Sequence, residues 1–341
     1  MEIGVDERVL YRAAFGARVV EPAAAPMSAD TIFDLASLTK VIATTPAIMQ
    51  LVQAGRLDLD RPVADYWPAF AAEGKAAITL RQLLTHTSGL PPDLALASEG
   101  PDAPTILASL AAVRPLSAPG ERFVYSDLNF LALGALVGRV SGQPLDAFAA
   151  SHIFQPLGMS DTGFDPPPAR QERIAPSDLE DGAMRWGQAQ DPTAYRMGGV
   201  AGHAGLFSTA GDLARFARML LNGGALDGAR VLRPQTVAEM IRPSPIPGGV
   251  RRALGWDVSS PLSMGMDQAF GGDSFGHTGY TGVLIWIDPA THGYLIVLTS
   301  RLHPDGAGDA KPLRQDLGPL AAALIRADLA DPGRHPSVDR Q

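Results

Sequence analysis

The chain carries 28 Lys+Arg but only three lysines, and one of them, Lys40, follows a serine in the spacing Ser37-x-x-Lys40. On a helix, positions i and i+3 share a face. A serine hydroxyl is a weak nucleophile until a base takes its proton. A desolvated lysine can be that base, whereas arginine stays protonated. If a helix begins near Ser37, its first amides also favour negative charge developing there. "VYSD" puts Tyr125 and Asp127 on a short loop ahead of a helix, where a phenolate held by a lysine can serve as general base. The competing reading is a half-buried strand tyrosine followed by a helix-capping carboxylate. "FGHTGYTG" sets His277 and Thr278 just before a strand. The glycines that follow allow close backbone approach by a ligand, and an amide of this edge together with that of Ser37 could form an oxyanion hole. The plainer reading is a glycine-rich strand entry bearing a surface histidine.

Other patterns compete less well. "GDSFG" (272–276) matches the G-x-S-x-G nucleophile elbow through Ser274. That elbow needs a strand before it and a helix after it, and here a strand follows, so the reading is rejected. "GGVAGHAG" (198–205) lacks the Gly-Lys-Ser/Thr ending of a phosphate loop. Its His203 either lines a cleft or hydrogen-bonds within a loop. No His-x-x-x-His or His-Glu-x-x-His pair is present, so no metal and no other cofactor is expected.

The elements that must position these groups follow from periodicity and punctuation. "RVLYRAAFGARVV" (8–20) alternates like an edge or half-buried strand. Residues 35–54 are apolar nearly all round, which predicts a buried central helix ending at Gly55. A short helix is expected within 78–92, stopped by Ser-Gly and Pro-Pro. Another should run from about 127 to Gly142, and a capped amphipathic one within 207–224, with Ser208 or Thr209 as cap and Gly223-Gly224 as stop. Residues 282–301 read as a hairpin around "DPATHG", and 317–330 as a closing helix. Strands at both ends with helices between predict an α/β (α+β) fold. Residues 1–34 and 250–330 would form an antiparallel sheet flanked by helices, 35–249 a mostly helical insertion, and 331–341 a polar tail.

The chain has 341 residues, 46% hydrophobic and 19% charged, enough for one large domain or two closely packed ones. A net charge of −8 without a basic run argues against nucleic acid. The absence of cysteine removes thiolate chemistry and disulfides and leaves the compartment undecided. No apolar run reaches the ~18 residues of a membrane span. "MEIGVDERVL" lacks the basic and apolar regions of a signal peptide. Nothing in the composition sets an oligomeric state.

Ser-x-x-Lys opening a central helix, Tyr-x-Asp before a helix and His-Thr-Gly leading into a strand, in that order, resemble the penicillin-recognising serine hydrolases. The nearest likeness is to the class C β-lactamase-like group, with its D-peptidases and family VIII-type esterases. "LLTHTSGLP" (83–91), "IFQPLGMSDTGF" (153–164), "GGVAGHAGLFSTAGDLARFARMLL" (198–221) and "GHTGYTGVLIWIDP" (276–289) extend the likeness over nearly the whole chain. The resemblance implies Ser37 as acyl-forming nucleophile, Lys40 as its proton partner and Tyr125 as the shuttle to the leaving group. It implies an oxyanion hole of the Ser37 and Tyr280 amides, with Asp127, His277, Thr278 and Gly279 contacting substrate. A class A-like alignment through Ser126-Asp127 fits worse, because Leu128 stands where an Asn is needed.

Two departures bear on chemistry. Asp127 stands where the family usually has Asn, and an ionised carboxylate cannot donate hydrogen bonds. Its charge would hold Lys40 protonated and shift base work to Tyr125. His277 stands where β-lactamases have Lys and is largely neutral near its reference pKa of ~6.5. Both point away from an efficient β-lactamase. The expectation is a serine hydrolase forming an acyl-enzyme on a small ester, amide or D-amino-acid peptide. A D,D-carboxypeptidase or weak β-lactamase is the alternative, and a non-catalytic penicillin-binding-like module is the alternative of another kind.

Overall fold

The computed structural model describes residues 1–21, 23–94, 102–180 and 183–331. Most of the tail expected at 331–341 lies outside the described residues. The architecture is an eight-stranded antiparallel sheet built from both ends of the chain, with helices on both faces. Its strands are β1 (Glu2–Val5), β2 (Arg8–Arg12), β3 (Ser244–Ile246), β4 (Val250–Arg252), β5 (Asp257–Ser259), β6 (Phe275–Thr278), β7 (Leu284–Asp288) and β8 (Gly293–Val297), in the order β3-β4-β5-β6-β7-β8-β1-β2. The expected hairpin is β7–β8, in register from Leu284↔Val297 to Asp288↔Gly293. Strand β1 then pairs with β8, placing the chain's first residues inside the sheet.

Alternation along β7 and β8 builds two cores. Leu284, Trp286, Leu295 and Val297 face one side, where they pack with Ala321, Ala322 and Ile325. Ile285, Ile287, Tyr294 and Ile296 face the other and join the larger core. A period-2 pattern with both faces apolar is what a sheet covered on both sides requires.

The central helix is buried as its composition demands. A tight turn over Ala36–Leu38 is followed by a wide turn over Lys40–Thr44 and then α1 (Thr45–Gln53), with Gly55 at φ 70 just beyond. Every residue from Thr39 to Met49 is buried. Helix α3 (Asp127–Ser141) packs against it and ends at Gly142 in the left-handed conformation. Helix α4 (Ala210–Leu221) is capped by Thr209, whose side chain accepts from the Asp212 amide.

Four local expectations are corrected. The strand read over 8–20 stops at Arg12, and Ala17–Val19 pairs with Ala25–Pro26 in a separate ribbon after the turn at Gly16. The helix within 78–92 is only α2 (Leu80–Leu84), held at its start by a capping box of Thr79 and Gln82. It ends ahead of the Ser-Gly stop, because His86 turns the chain at φ 56. The closing helix, α5 (Lys311–Ala330), begins before residue 317. Pro312 sits in its first turn, where a missing N–H is harmless. Strand β3 joins the sheet ahead of residue 250.

Candidate active site

Ser37 stands on a strained turn. Ala36 has φ 44, a left-handed conformation that costs a non-glycine residue roughly 1–2 kcal/mol. The turn is tied down by Asp34, whose Oδ1 accepts from the Ala36 amide at 2.7 Å and whose Oδ2 accepts from the Gln190 amide at 2.7 Å. Burial pushes the Asp34 carboxyl up to about 6 against those bonds.

Lys40 is fully buried, and its ammonium donates to Ser37 Oγ at 2.8 Å and to the His203 carbonyl at 3.2 Å. It also lies 2.7 Å from Asp127 Oδ1 and 5.1 Å from the centre of the Tyr125 ring. Burial alone would depress the Lys40 pKa. The Asp127 carboxylate and the Tyr125 oxygen outweigh it, so the pKa is raised. Lys40 is therefore an ammonium at neutral pH, as the aspartate at position 127 led one to expect.

Tyr125 is placed by His86, which falls within the segment 78–92 expected to hold a short helix and lies beyond that helix's end at Leu84. His86 stacks on its ring at 4.4 Å, its carbonyl accepts from the Val124 amide, and its Nδ1 accepts from the Ser126 amide at 3.1 Å. Burial and then the charges of Arg252 and Lys40 hold the His86 pKa well below 6.5. Ser126 Oγ donates to the Pro91 carbonyl at 2.6 Å and is thereby spent on the loop. Asp127 is the first residue of α3 rather than its cap.

The end of β6 closes the opposite wall. Gly279 has to be glycine: a Cβ there would fall 2.6 Å from the Leu35 carbonyl oxygen and against the Val283 side chain. Thr281 Oγ1 donates to the Asp34 carbonyl at 2.7 Å, sealing the strand end to the Ser37 turn. Among the described residues, the Tyr280 amide donates to no backbone carbonyl outside the helices and strands. His277 is buried, not a surface residue. Its Nδ1–H donates to the Thr278 carbonyl at 2.7 Å, leaving Nε2 as an acceptor with no partner among the described residues. Burial, then Arg252 and Lys40, keep it neutral.

Ser37, Tyr125, Asp127, His277, Thr278, Gly279 and Tyr280 all line one cleft of about 700 Å³, and Lys40 forms its floor behind Ser37. Two further groups, Asp191 and Arg252, line the cleft and had no local signal; His203, read from the sequence as a cleft or loop histidine, lies behind it, bonded through Nε2 to Asp191 Oδ1 at 2.8 Å. Their partners are far apart in sequence, so only the fold reveals them. Asp127, Asp191 and His203 offer ligand atoms within 4.8 Å of one another, the one group among the described residues with a cation-binding arrangement. The Lys40 ammonium already takes the position a cation would hold against Asp127. Ser274 has a structural task instead: its hydroxyl donates to the Gly271 carbonyl and accepts from Trp286 Nε1 at 3.0 Å.

A family model described as Beta-lactamase matches residues 2–318. A protein named putative D-alanyl-D-alanine carboxypeptidase from Escherichia coli K12 is 32% identical over 345 residues, spanning 90% of this chain and 79% of that one. Among solved structures, a mutant simvastatin synthase from Aspergillus terreus aligns over 96% of this chain and 90% of its own, at 26% identity and a TM-score of 0.72. A family VIII carboxylesterase shares the fold at 23% identity and a TM-score of 0.73, over 95% and 91% of the two chains. The fold and the matches together define a penicillin-recognising serine hydrolase. The chain belongs to the β-lactamase family, an enzyme family that works through a serine acyl-enzyme. Among the described residues, no helix is long and apolar enough to cross a membrane.

Proposed function

We propose that this protein hydrolyses a small ester or amide through an acyl-enzyme on Ser37. The observation that carries the reading is the Lys40 ammonium donating to Ser37 Oγ at 2.8 Å while held by Asp127 at 2.7 Å. A protonated lysine cannot take the serine proton. It orients the hydroxyl and stabilises the alkoxide forming beneath it. Tyr125, whose oxygen faces the same ammonium, accepts the Ser37 proton and returns it to the leaving group. The Ser37 and Tyr280 amides receive the oxyanion, in a strand edge brought close by Gly279. Deacylation runs the same relay with water in place of the alcohol or amine.

Neutral His277 offers no fixed charge where a β-lactam or peptide carboxylate would lie against it, so such a carboxylate has to be met by another cation of the cleft. A D-alanyl-D-alanine carboxypeptidase activity is the second reading, favoured by the 32% identical relative of that name. The test is hydrolysis of p-nitrophenyl butyrate by the wild type and by Ser37→Ala, with intact-mass detection of the acyl adduct. Loss of turnover and of the adduct in the variant is expected. A variant as fast as wild type would remove Ser37 from the mechanism.

A further inference from the structure

The cleft is lined by charges of both signs, carried on different elements. Asp127 and Asp191 line it. Each carboxylate has Oδ1 engaged, by Lys40 and by His203 together with the Ala194 amide, respectively. No partner of either Oδ2 is found among the described residues. Asp93 also stands near: burial and then repulsion from Asp127 and Asp191 raise its pKa. This group therefore gathers carboxylates against one ammonium and one imidazole.

Four cations, Arg252, Arg301, Lys311 and Arg314, also line the cleft, against two carboxylates, Asp257 and Asp309. Arg301 and Arg314 spend donors on backbone carbonyls, at Tyr280 and Gly308 and at Gly279 and Val283. Arg252 is different. It is wholly buried, its Nη2 donates to the Gly255 carbonyl, and its Nη1 stands 3.5 Å from Asp257. Nε and Nη1 have no hydrogen-bond acceptor among the described residues. A buried guanidinium with two unmet donors is costly unless a ligand meets them, and a carboxylate is the group that matches its fork.

Ser37 lies beside the Asp127–Asp191 pair, since one ammonium touches both Ser37 Oγ and Asp127 Oδ1. The α-amino nitrogen of an acyl residue sits two bonds from the carbonyl carbon that Ser37 attacks, so it would fall beside these carboxylates. Tyr125 lies 5.1 Å from Lys40 Nζ and 6.0 Å from the His277 ring, and Arg252 acts electrostatically on both Tyr125 and His277. Two extended residues reach at most ~7 Å.

We infer, resting on the serine-hydrolase reading above, that the cleft is built for a free dipeptide, with the α-ammonium of its acyl residue against Asp127 and Asp191 and its terminal carboxylate toward Arg252. Ser37 Oγ adds to the peptide carbonyl and its proton passes to Tyr125. The C–N bond breaks, and the departing amine takes that proton and leaves as the second amino acid. Water then hydrolyses the aminoacyl ester, releasing the first amino acid and regenerating Ser37.

The test compares kcat/KM for D-Ala-D-Ala and L-Ala-L-Ala with their N-acetyl, C-amide and doubly blocked forms, and for p-nitrophenyl acetate as reference. Each block should lower kcat/KM, by tenfold or more. In Asp191→Asn the loss caused by N-acetylation should shrink, and in Arg252→Lys the loss caused by amidation should shrink. The wild-type comparison stands even if a variant does not fold. A block that leaves kcat/KM unchanged or raises it overturns the inference. So does the absence of dipeptide cleavage while p-nitrophenyl acetate is turned over through Ser37; that outcome leaves the serine-hydrolase reading intact. If Ser37→Ala turns over either substrate at the wild-type rate, the underlying reading falls and the inference falls with it.

Discussion

Lys40 Nζ and Asp127 Oδ1 lie 2.7 Å apart, one on the central helix and the other on the first turn of α3. The pair decides which protonation state the lysine carries. Removing the carboxylate in Asp127→Asn leaves burial, opposed mainly by Tyr125, to act on Lys40, so the ammonium loses its proton at lower pH. The alkaline limb of kcat/KM for p-nitrophenyl butyrate should move to lower pH, with the plateau falling by about ten- to a hundredfold. Lys40→Ala should cost more, by loss of the charge beneath the developing alkoxide. An unchanged profile in both variants would show that this lysine takes no part.

The Asp191–His203 pair should stabilise the fold in a defined pH window. Burial opposes the His203 charge, but Asp191 outweighs it, so the folded pKa lies above 6.5. That contribution is fully present below the unfolded value of ~6.5 and is lost as pH rises through the folded one. Asp191 is the opposite case. Burial would raise it, but His203 holds it well below the usual carboxylate range, so its share is present above ~3.8 and lost in strong acid. His203→Gln should therefore destabilise by about 1–3 kcal/mol at pH 5.5 and by less at pH 8.5. Thermal unfolding at the two pH values measures the difference. An equal loss at both would mean that the ion pair contributes nothing.

Gly279→Ala should separate the strand end from the Ser37 turn. The new methyl would press on the Leu35 carbonyl and on Val283. An overpacked site of this kind costs roughly 1–3 kcal/mol, and displacing one oxyanion donor costs about 10²–10³ in kcat. Burst kinetics with p-nitrophenyl acetate report acylation directly. Full acylation rate in this variant would contradict the placement of the oxyanion hole.

Ser274 and Ser37 should separate cleanly. Ser274→Ala loses the bonds to Gly271 and Trp286 Nε1 and should cost about 1–2 kcal/mol of stability with little change in rate. Ser37→Ala should show the reverse, with near wild-type stability and a rate lowered by about 10³ or more. Paired denaturant melts and ester assays check both.

Histidine titration followed by NMR offers a test without mutation. His86 and His277 are both driven below 6.5, chiefly by burial and by Arg252, whereas His203 is raised. At pH 6.5 the first two should be neutral while His203 is still mostly charged. A His277 that titrates near 6.5 would restore a charge at this wall.

The local elements were legible where one physical signal dominates. The central helix, α3 with its glycine stop, the Thr209 cap of α4 and the β7–β8 hairpin all follow from apolar periodicity and from Gly or Thr at the ends. Boundaries were missed where no such signal stands: α5 already begins at Lys311, and the left-handed turn at His86 carries no glycine to announce it.

By itself the sequence determined the chemistry available: one serine with a lysine three residues on, a tyrosine and carboxylate before a helix, and a histidine-threonine-glycine before a strand. Only the tertiary structure decided how those groups are charged and what surrounds them. Protonation depends on burial and on charges a few ångströms away. The groups that supply those charges lie far along the chain: Asp127 beside Lys40, Asp191 beside His203, and Arg252 near His277. No spacing rule joins them, because it is the packing of α3, the 191–205 segment and β4 around one cleft that brings them within reach.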